Sequence, residues 1–484
     1  MNSGIVIKVL GNLLVLEGLM MLPAFFIALY HRGTDRIGFI ITIILTLAVG
    51  LVLSRRKTRS HKIKVKEGLA IVTFGWLLAS VFGALPFVIS GSIPSIIDAF
   101  FETVSGLTTT GATIVTDIEM LPKGILFWRS FTHWIGGMGI LVFTVAILPM
   151  MGVGGFQIFK AESPGPISDR MVPRIKDTAK ILYITYISIT LLEIILLMFG
   201  GMSLYDASLH TFGTVGTGGF SPKNLSIGAY DSTYIHVVIS VFMLLAGTNF
   251  SLFYLLYKKK WREVLKNEEL RLYVGIVIVA TILITLNIFS TSYENFGLAL
   301  RDALFQTSSI ITTTGYGTAD FDVWPTFSKS ILFLLMFIGG CAGSTGGGIK
   351  HIRVLVLLKL IKREISKIFH PRAIIPIKLN GRLIASDMTA SITSFFSLYI
   401  FIFVMGTILI SLEDIGIVSA ASAVVASLSN IGPGFDFVGP TRNFSEFSYP
   451  SKMVLTFFML LGRLELFTIV ALLAPKQWRN ERLY

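Results

Sequence analysis

Residues Thr312-Thr313-Thr314-Gly315-Tyr316-Gly317 read TTTGYG and follow directly on a short apolar segment, residues 303–311. That segment is too short to cross a membrane, which takes roughly 20 residues in a helix. A half-length helix before such a turn is typical of a pore helix and its potassium-selectivity filter, in which backbone carbonyl oxygens replace the water shell of the ion. Glycine is needed there because it permits φ/ψ values that side chains disfavour. One segment would supply a quarter of a ring, so this interpretation requires either four chains or four copies within one chain.

Three further segments share its spacing. Asp302 lies thirteen residues before Gly315, and the same interval separates Asp98 from Gly111, Asp206 from Gly219 and Ser419 from Gly432. Because each segment lies between long apolar runs, the four matching intervals predict an internal repeat. The predicted ion-binding residues are Thr109, Thr110, Gly111, Ala112, Thr217, Gly218, Gly219, Phe220, Thr313, Thr314, Gly315, Tyr316, Asn430, Ile431, Gly432 and Pro433. The fourth copy departs most from the potassium-channel pattern, since it lacks the threonines.

The composition indicates a polytopic membrane protein. The 484 residues are 53% hydrophobic and 14% charged, and the mean hydropathy is +0.75, well above that of a soluble chain of this length. The single cysteine, Cys341, excludes an internal disulfide. Ten apolar runs are long enough to cross the hydrocarbon layer, and they lie near 9–30, 37–54, 68–91, 124–150, 178–200, 233–257, 272–290, 327–361, 388–411 and 451–474.

These runs predict an all-α fold in which two leading membrane helices precede four tandem repeats. Each repeat has a spanning helix, a half-length pore helix, a filter segment and a second spanning helix, and the four together form a pseudo-fourfold pore like that of a potassium channel. The predicted divisions are 1–66 for the leading helices, then 67–156, 157–264, 265–384 and 385–484 for repeats 1 to 4.

Charge predicts the orientation in the membrane. Most of the 41 Lys and Arg residues fall on one side of the predicted spans, in stretches such as 55–66, 160–180, 258–271 and 350–382. By the positive-inside rule, that side is cytoplasmic and contains both termini. The filters of this predicted inner-membrane protein then face the outside of the cell. Carboxylates fall mainly on the opposite side, which predicts an outer vestibule that attracts cations. The formal charge of +13 therefore reflects topology and does not indicate nucleic acid as a partner.

A glycine-rich segment interrupts the second span of repeat 3. Residues 339–350 read GGCAGSTGGGIK, with six glycines in twelve residues, a composition that disfavours a helix. Non-helical backbone at membrane depth is tolerated only where protein or water satisfies its polar groups, which places the segment against the pore. We predict that it is a gate. Its predicted functional residues are Gly339, Gly340, Gly343, Ser344, Thr345, Gly346, Gly347, Gly348 and Lys350, together with Arg463.

Arg463 belongs to this prediction because it lies near the centre of the last predicted span. A central arginine costs at least roughly 2.5–3.5 kcal/mol in a bilayer, so it must face water or a partner. Ser344, Thr345 and the free carbonyls of the glycine-rich segment are acceptors that its guanidinium could use. We therefore expect Arg463 to help to hold the gate shut.

The filter glycines Gly111, Gly219, Gly315 and Gly432, the segment GGCAGSTGGGIK and the residues LLGRLE at 460–465 resemble the Trk/Ktr/HKT superfamily of cation transporters. The two leading helices resemble those of TrkH rather than KtrB. The resemblance implies potassium uptake, a homodimer of two separate pores, and a TrkA-like cytoplasmic ring whose nucleotide, ATP/ADP or NAD, controls opening. It implies no cofactor in this chain and a gate formed by residues 339–350 beside Arg463. Within the superfamily, serine at the position of Gly111 goes with sodium preference, so glycine there implies preference for K⁺.

Two other function classes stay open at this point. A proton- or sodium-coupled symporter would need carboxylates inside the spans, and Glu17 and Glu193 are candidates. An intramembrane aspartyl enzyme would use Asp98 and Asp302. Against the enzyme, both aspartates are predicted at equivalent starts of pore helices, where capping of backbone N–H groups accounts for them.

Overall fold

The computed structural model describes residues 2–58, 65–137, 139 and 175–473. The end of the span predicted near 124–150, most of the basic stretch 160–180 and the last residue of the span predicted near 451–474 lie outside these residues. The described chain is mainly helical. It adds two pairs of two-residue strands, the parallel pair β1 (Ile338–Gly339) and β2 (Ile349–Lys350) and the antiparallel pair β3 (Lys378–Leu379) and β4 (Arg382–Leu383).

Both predicted leading spans are present as helices. The first consists of Ser3–Met20 and Leu22–Tyr30, and the second is Arg36–Ser54. The first and second spans pack backbone against backbone, because a Cβ at Gly11 would lie 2.8 Å from the carbonyl oxygen of Gly50. Glycines permit this close approach of membrane helices.

Four repeats follow in the predicted order. Their first helices are Val65–Ile89, Ile175–Phe199, Glu268–Phe289 and Ser386–Ile410. Their pore helices are Ile96–Leu107, Leu204–Val215, Phe296–Ile311 and Ile417–Leu428. Their second helices begin as Lys123–Gly137, Thr233–Ala246, Thr326–Leu335 and Tyr449–Arg463. Each pore helix packs against the first and second helices of its own repeat, which shield it on both sides.

Contacts between repeats arrange them in a circle. The second helix of repeat 1 packs against the pore helix of repeat 2, and the second helix of repeat 2 packs against the pore helix of repeat 3. Tyr449–Arg463 of repeat 4 packs in turn against Ile96–Leu107 of repeat 1. The chain therefore closes on itself around the four filter segments, as the pseudo-fourfold prediction requires.

The pore helices begin at positions that the sequence did not predict. Ser95 caps the first by accepting the N–H of Asp98, so Asp98 lies inside the helix and does not cap it. Asn295 caps the third, which starts at Phe296 and therefore contains Asp302 well inside it. The expectation that Asp98 and Asp302 occupy equivalent helix starts as caps is wrong, because side chains further upstream perform the capping.

Both aspartates instead form ion pairs. The carboxylate of Asp98 accepts a hydrogen bond from Lys452 Nζ at 2.7 Å, which joins the pore helix of repeat 1 to the second helix of repeat 4. Asp302 pairs with Arg301 at 2.9 Å and accepts the hydroxyl of Tyr293 at 3.0 Å. These contacts give each carboxylate a structural role between neighbouring elements.

The second helices of repeats 2, 3 and 4 are all broken. In repeat 2, Thr233–Ala246 and Phe250–Tyr257 meet at 95°, and in repeat 3 Thr326–Leu335 is followed by the predicted interruption and then by His351–Phe369. In repeat 4, Glu465 has a φ of +62° between Tyr449–Arg463 and Leu466–Leu473. Continuous spans near 233–257 and 451–474 were therefore wrong predictions, and Arg463 lies at a helix end rather than at the centre of a span.

These breaks change the count of continuous membrane helices. Among residues 2–58, 65–137 and 175–473, six helices are long and apolar enough to cross a membrane, and a seventh if the bent pair of repeat 2 counts as one span. Ten spans were predicted, and one of them, near 327–361, was predicted to be interrupted. The difference comes from the helices that break, and from the span near 124–150 that is described only in part.

Candidate ion-conduction site

The four filter glycines lie next to one another around a closed ring. Each has a left-handed φ, +82° at Gly111, +79° at Gly219, +82° at Gly315 and +100° at Gly432. A Cβ at these four glycines would press on the carbonyl oxygens of Gly218, Thr314, Ile431 and Thr110, in that order. The last contact runs from repeat 4 back to repeat 1. Both the backbone conformation and the lack of space therefore exclude side chains from these positions.

The residue two positions before each glycine also has one shared conformation. Thr109, Thr217, Thr313 and Asn430 have φ values of +55°, +55°, +59° and +56°. A left-handed φ is uncommon for a residue with a side chain, and rarer still for β-branched threonine. Its recurrence at four equivalent positions shows that the four segments follow one backbone path, and the divergent fourth segment follows it too.

Asn430 adapts the fourth segment to its different sequence. Its side-chain amide donates to the hydroxyl of Thr110 at 3.0 Å and to the carbonyl of Met459 at 2.9 Å. It therefore links repeat 4 to repeat 1 and to its own second helix. Such a link can replace contacts that a threonine makes in the other copies.

Side chains support the ring from behind. The hydroxyl of Tyr316 donates to the carbonyl of His210 at 2.8 Å, which ties repeat 3 to the pore helix of repeat 2. The ring of His133 packs against Phe220 with centroids 4.1 Å apart, and its Nδ1 lies 2.8 Å from the carbonyl oxygen of Gly106. His133, His210 and Tyr316 are all buried, so the two histidines are packing residues.

A buried ion pair, which the sequence analysis missed, also stands behind the ring. Arg129 Nε donates to Glu102 Oε1 at 2.6 Å, and both residues are fully buried. The guanidinium lies 3.6 Å from the ring centroid of Phe220 and donates to the carbonyl of Ser221 at 3.1 Å. The other Glu102 oxygen accepts the N–H of Ile114 at 3.0 Å. The pair thus joins the segments that follow the filter glycines of repeats 1 and 2.

The signal for this pair was present in the sequence. Arg129 is a charge inside an apolar run, and the argument that singled out Arg463 applies to it equally. Glu102 is likewise a charge within a half-length apolar helix. A search for opposite charges in the apolar segments of one repeat would have found both.

We expect Glu102→Gln to destabilise the protein by about 3 kcal/mol or more, because removing one partner of a buried pair leaves an uncompensated charge. The matched control is Glu263→Gln, whose pair with Lys260 is half exposed on both sides and is worth about 0–1 kcal/mol. Denaturant unfolding of the purified protein in detergent measures both changes. Equal stabilities of the two variants would contradict the structural role of the Arg129–Glu102 pair.

A vestibule of about 360 Å³ opens on the ring and is lined by residues of all four repeats, among them the four filter glycines. Its charged lining residues are Arg129, Lys223, Asp320 and Arg442. The excess of carboxylates that the sequence places on this face therefore does not line the vestibule itself. The predicted attraction of cations rests on carboxylates elsewhere on this face and stays a prediction.

Asp322 joins repeats 3 and 4 close to this vestibule. Its half-buried carboxylate accepts the N–H of Asp436 at 3.0 Å. Burial raises the pKa of the Asp322 carboxyl, and the carboxylates of Asp320 and Asp436 add to the increase.

The glycine-rich segment crosses the space at the C-terminal ends of the pore helices. The hydroxyl of Thr345 donates to the carbonyl of Val215, the last residue of the repeat 2 pore helix, at 3.1 Å. The N–H of Gly347 donates to Thr313 Oγ1 of repeat 3 at 2.7 Å. A Cβ at Gly347 would overlap the carbonyl oxygen of Ser429 in repeat 4. The segment therefore lies directly under the ring and contacts residues of repeats 2, 3 and 4 next to their filter segments.

Arg463 supplies the connection to repeat 1. Its guanidinium donates to the carbonyl of Thr345 at 2.7 Å, to Thr109 Oγ1 at 3.2 Å and to the carbonyl of Gly136 at 2.6 Å. Lys350 is also buried and donates to the carbonyl of Gly346. Two basic side chains therefore lie beside a backbone that crosses the axis of the ring.

The remaining residues of the segment explain its glycine content. The parallel pair of β1 and β2 brings Gly339 beside Lys350, and a Cβ at Gly339 would overlap the carbonyl oxygen of Gly347. Gly343 and Gly348 have φ values of +76° and +64°. Ser344 donates to the carbonyl of Cys341 at 2.7 Å, and a Cβ at Gly340 would lie 2.6 Å from the Ser344 hydroxyl. Every residue predicted for the gate except Arg463 lies in this one compact crossing, and Arg463 binds to it from the second helix of repeat 4.

The carboxylates required by a coupled symporter lie elsewhere. Glu17 faces a small apolar cavity of about 70 Å³ between the first leading helix and repeat 1, and Glu193 is buried in the first helix of repeat 2. Neither lines the vestibule. Among the described residues, no cluster of three or more His, Cys, Asp or Glu side chains could hold a metal ion.

The fold and this geometry define a class: an all-α membrane protein in which four tandem repeats surround a ring of backbone carbonyls, with a polar crossing segment beneath it. The profile of the TrkH family, described as "Cation transport protein", matches residues 35–481. The chain belongs to this family of cation transport proteins. Because the family and the relatives are transporters, the interpretation as an aspartyl enzyme is excluded.

Individual relatives match over nearly the whole chain. The Trk system potassium uptake protein TrkH of Salmonella typhimurium is 40% identical over 99% of this chain and 100% of its own length. The Trk system potassium uptake protein TrkG of Escherichia coli is 33% identical over 98% of this chain and 99% of its own length. The crystal structure of the potassium transporter TrkH from Vibrio parahaemolyticus superposes with a TM-score of 0.88, at 37% identity, and covers 99% of this chain and 100% of that one.

Proposed function

We propose that this chain takes up potassium across the cell membrane through the ring of filter carbonyls. The single observation that carries this is the closed circle of left-handed glycines, each against a carbonyl of the next repeat. Rings of backbone carbonyls replace the hydration shell of K⁺, and no protein group other than the backbone is needed. The names of the relatives, which are potassium uptake proteins, support the same ion.

The ion-binding residues in this proposal are those predicted from the sequence in each filter segment, from Thr109 in repeat 1 to Pro433 in repeat 4. The C-terminal ends of four pore helices point toward the space beneath them, and each end carries partial negative charge that favours a cation. The proposed gate is the segment 339–350 with Arg463. Its support is that the crossing lies under the ring and is held by few hydrogen bonds to each repeat.

The proposed orientation places the filters outside the cell and both termini in the cytoplasm of a multi-pass inner-membrane protein. The excess of Lys and Arg on the side of the helix His351–Phe369 supports it. The same sequence pattern supports the divisions at residues 66, 156, 264 and 384 between the leading helices and the repeats.

The proposed partner is a soluble TrkA-like ring that binds ATP/ADP or NAD and acts on a homodimer of this chain. The term "Trk system" in the names of the relatives supports a multi-component assembly. The exposed basic surface of His351–Phe369 offers a docking site on the cytoplasmic side. A nucleotide would be bound by that partner, since the chemistry proposed for this chain requires only the transported K⁺.

We expect purified protein in proteoliposomes to carry K⁺ down an imposed gradient and to carry Na⁺ much more slowly. Radiotracer uptake with each ion, with and without the ring subunit and its nucleotide, measures both selectivity and control. Equal K⁺ and Na⁺ fluxes would contradict the filter. Flux that stays constant throughout a titration of the subunit and its nucleotides would contradict the partner, and K⁺ flux that requires a proton or sodium gradient would favour coupled symport.

A further inference from the structure

One buried carboxylate holds both ends of the glycine-rich segment. Glu269 lies in the first turn of the helix Glu268–Phe289 and is 3% exposed. Its Oε1 accepts the N–H of Ala342 at 2.6 Å and the N–H of Ile352 at 3.1 Å. Ala342 and Ile352 lie on either side of residues 343–351, so a single oxygen atom closes this part of the chain into a loop. Ile352 is in the first turn of His351–Phe369, where a carboxylate is also favoured by the helix dipole.

A hairpin packs against the same two residues. β3 and β4 are joined by a turn at Asn380-Gly381, with φ values of +47° and +80°, which is the pattern of a tight two-residue hairpin. Leu379 of this hairpin forms a separate apolar cluster with Ala342 and Ile352, and it is 3% exposed. The two ends of the loop are therefore held from one side by Glu269 and covered from another by Leu379.

The neighbouring Glu268 fastens the hairpin to the same helix start. Its carboxylate accepts the N–H of Asn380 at 3.0 Å, and its own N–H donates to Asn380 Oδ1 at 2.9 Å. Lys359 of His351–Phe369 pairs with Glu268 and donates to the carbonyl of Lys378 at 2.7 Å. The hairpin, the helix His351–Phe369 and the start of Glu268–Phe289 therefore form one hydrogen-bonded unit.

We propose that this unit connects the hairpin surface to the gate, with Glu269 and Leu379 as the positioning residues that keep the loop under the filter. The inference rests on the proposed role of the loop as the gate. When the hairpin moves, Leu379 leaves the cluster and the N–H groups of Ala342 and Ile352 separate from Glu269. The closed crossing then loses its two fixed ends, which increases the conformational freedom of the glycines between them. A soluble protein partner that pulls on the hairpin would thus open the pore without touching it.

The chain contains its own reporter for this movement. Cys341 is the single cysteine of the sequence, precedes Ala342 and is 1% exposed. Its N–H donates to the carbonyl of Gly247 at 2.8 Å, so its burial depends on the position of the loop. The rate at which a small charged thiol reagent modifies the protein therefore measures how often the loop leaves its place.

The experiment compares Leu379→Ala and Glu269→Leu with wild type in proteoliposomes without any partner. We expect both changes to raise the modification rate of Cys341 about tenfold or more, and K⁺ flux with it, if they cost the closed loop about 1.4 kcal/mol. Leu383→Ala is the matched control, because Leu383 lies in the same hairpin with 69% of its surface exposed. Glu269→Gln keeps an oxygen acceptor and should restore most of the protection.

Each outcome decides one of the two proposals. A rise in Cys341 reactivity at constant flux supports the connection and overturns the assignment of the loop as the gate. Unchanged Cys341 reactivity in both variants, or an equal rise in Leu383→Ala, overturns the proposed connection between the hairpin and the loop. The role of the loop as the gate is then decided by the Arg463 variants. An unchanged K⁺/Na⁺ ratio verifies that the variants are folded, and Leu379→Ala, which lies outside the pore, gives a result even if Glu269→Leu does not assemble.

Discussion

Gly111→Ser is expected to lower the K⁺/Na⁺ flux ratio by about tenfold or more, which corresponds to about 1.4 kcal/mol of lost discrimination. The φ of Gly111 is +82°, where a residue with a side chain is strained by roughly 1–3 kcal/mol. Its Cβ would also overlap the carbonyl oxygen of Gly218 in repeat 2. The ring must therefore deform at one carbonyl, and a deformed ring fits the larger, more weakly hydrated ion less well.

The matched control separates backbone strain from damage to the ring. Gly201 has a φ of +92° and no atom within 4 Å of its Cβ position. Gly201→Ser therefore imposes similar local strain just before the pore helix of repeat 2, and we expect it to leave selectivity unchanged. Uptake of K⁺ and Na⁺ by reconstituted protein measures both variants. The filter assignment is wrong if Gly111→Ser leaves the ratio untouched, or if both variants change it alike.

The sequence was sufficient to predict the repeats because a filter depends on backbone conformation. Glycine marks the left-handed position directly, and the constant interval from Asp98 to Gly111, from Asp302 to Gly315 and in the other copies reflects pore helices that end at one level. Even the fourth copy, with Asn430 in place of threonine, takes the same φ. The filter glycines at their fixed spacing therefore stay recognisable even where the other residues of the repeats differ.

The breaks in the second helices could not be predicted in the same way. The helix of repeat 2 turns by 95° after Gly247, where Asn249 caps the next piece. Locally, this sequence is as apolar as a continuous span. The carbonyl of Gly247 instead accepts the N–H of Cys341 from repeat 3, a contact that only the folded ring provides. A hydrogen bond to another repeat thus stabilises a break that the local sequence does not require.

The same limit applies to charged residues. The sequence identified Arg463 as a charge that needs partners and named acceptors in the glycine-rich segment, where Arg463 uses the carbonyl of Thr345, but it could not identify Thr109 and Gly136. Arg129 carried the same signal and finds Glu102 in the pore helix of its own repeat. Burial predicts that a partner exists, whereas the identity of the partner depends on how the elements pack around the ring.

Arg463→Ala is expected to raise K⁺ uptake without any partner by roughly 10- to 150-fold. The guanidinium makes one hydrogen bond to the crossing segment, at the carbonyl of Thr345, and two to repeat 1. A hydrogen bond from a charged donor is worth about 1.5–3 kcal/mol. When only the closed state loses this stabilisation, the ratio of open to closed protein rises by roughly 10- to 150-fold, because 1.4 kcal/mol is tenfold. Removing a positive charge from the ion path lowers the barrier to cations further.

Arg463→Lys separates the two contributions, because lysine keeps the charge but lacks the planar fork that reaches three acceptors at once. We expect it to open the pore less than Arg463→Ala does. Both variants should keep their K⁺/Na⁺ ratio, since the filter carbonyls are formed by the backbone above the arginine. Measured fluxes of both ions, without the ring subunit, decide the matter. If Arg463→Ala abolishes flux, or changes selectivity as much as Gly111→Ser does, then Arg463 supports the filter through Thr109, and the barrier to ions lies elsewhere in the chain.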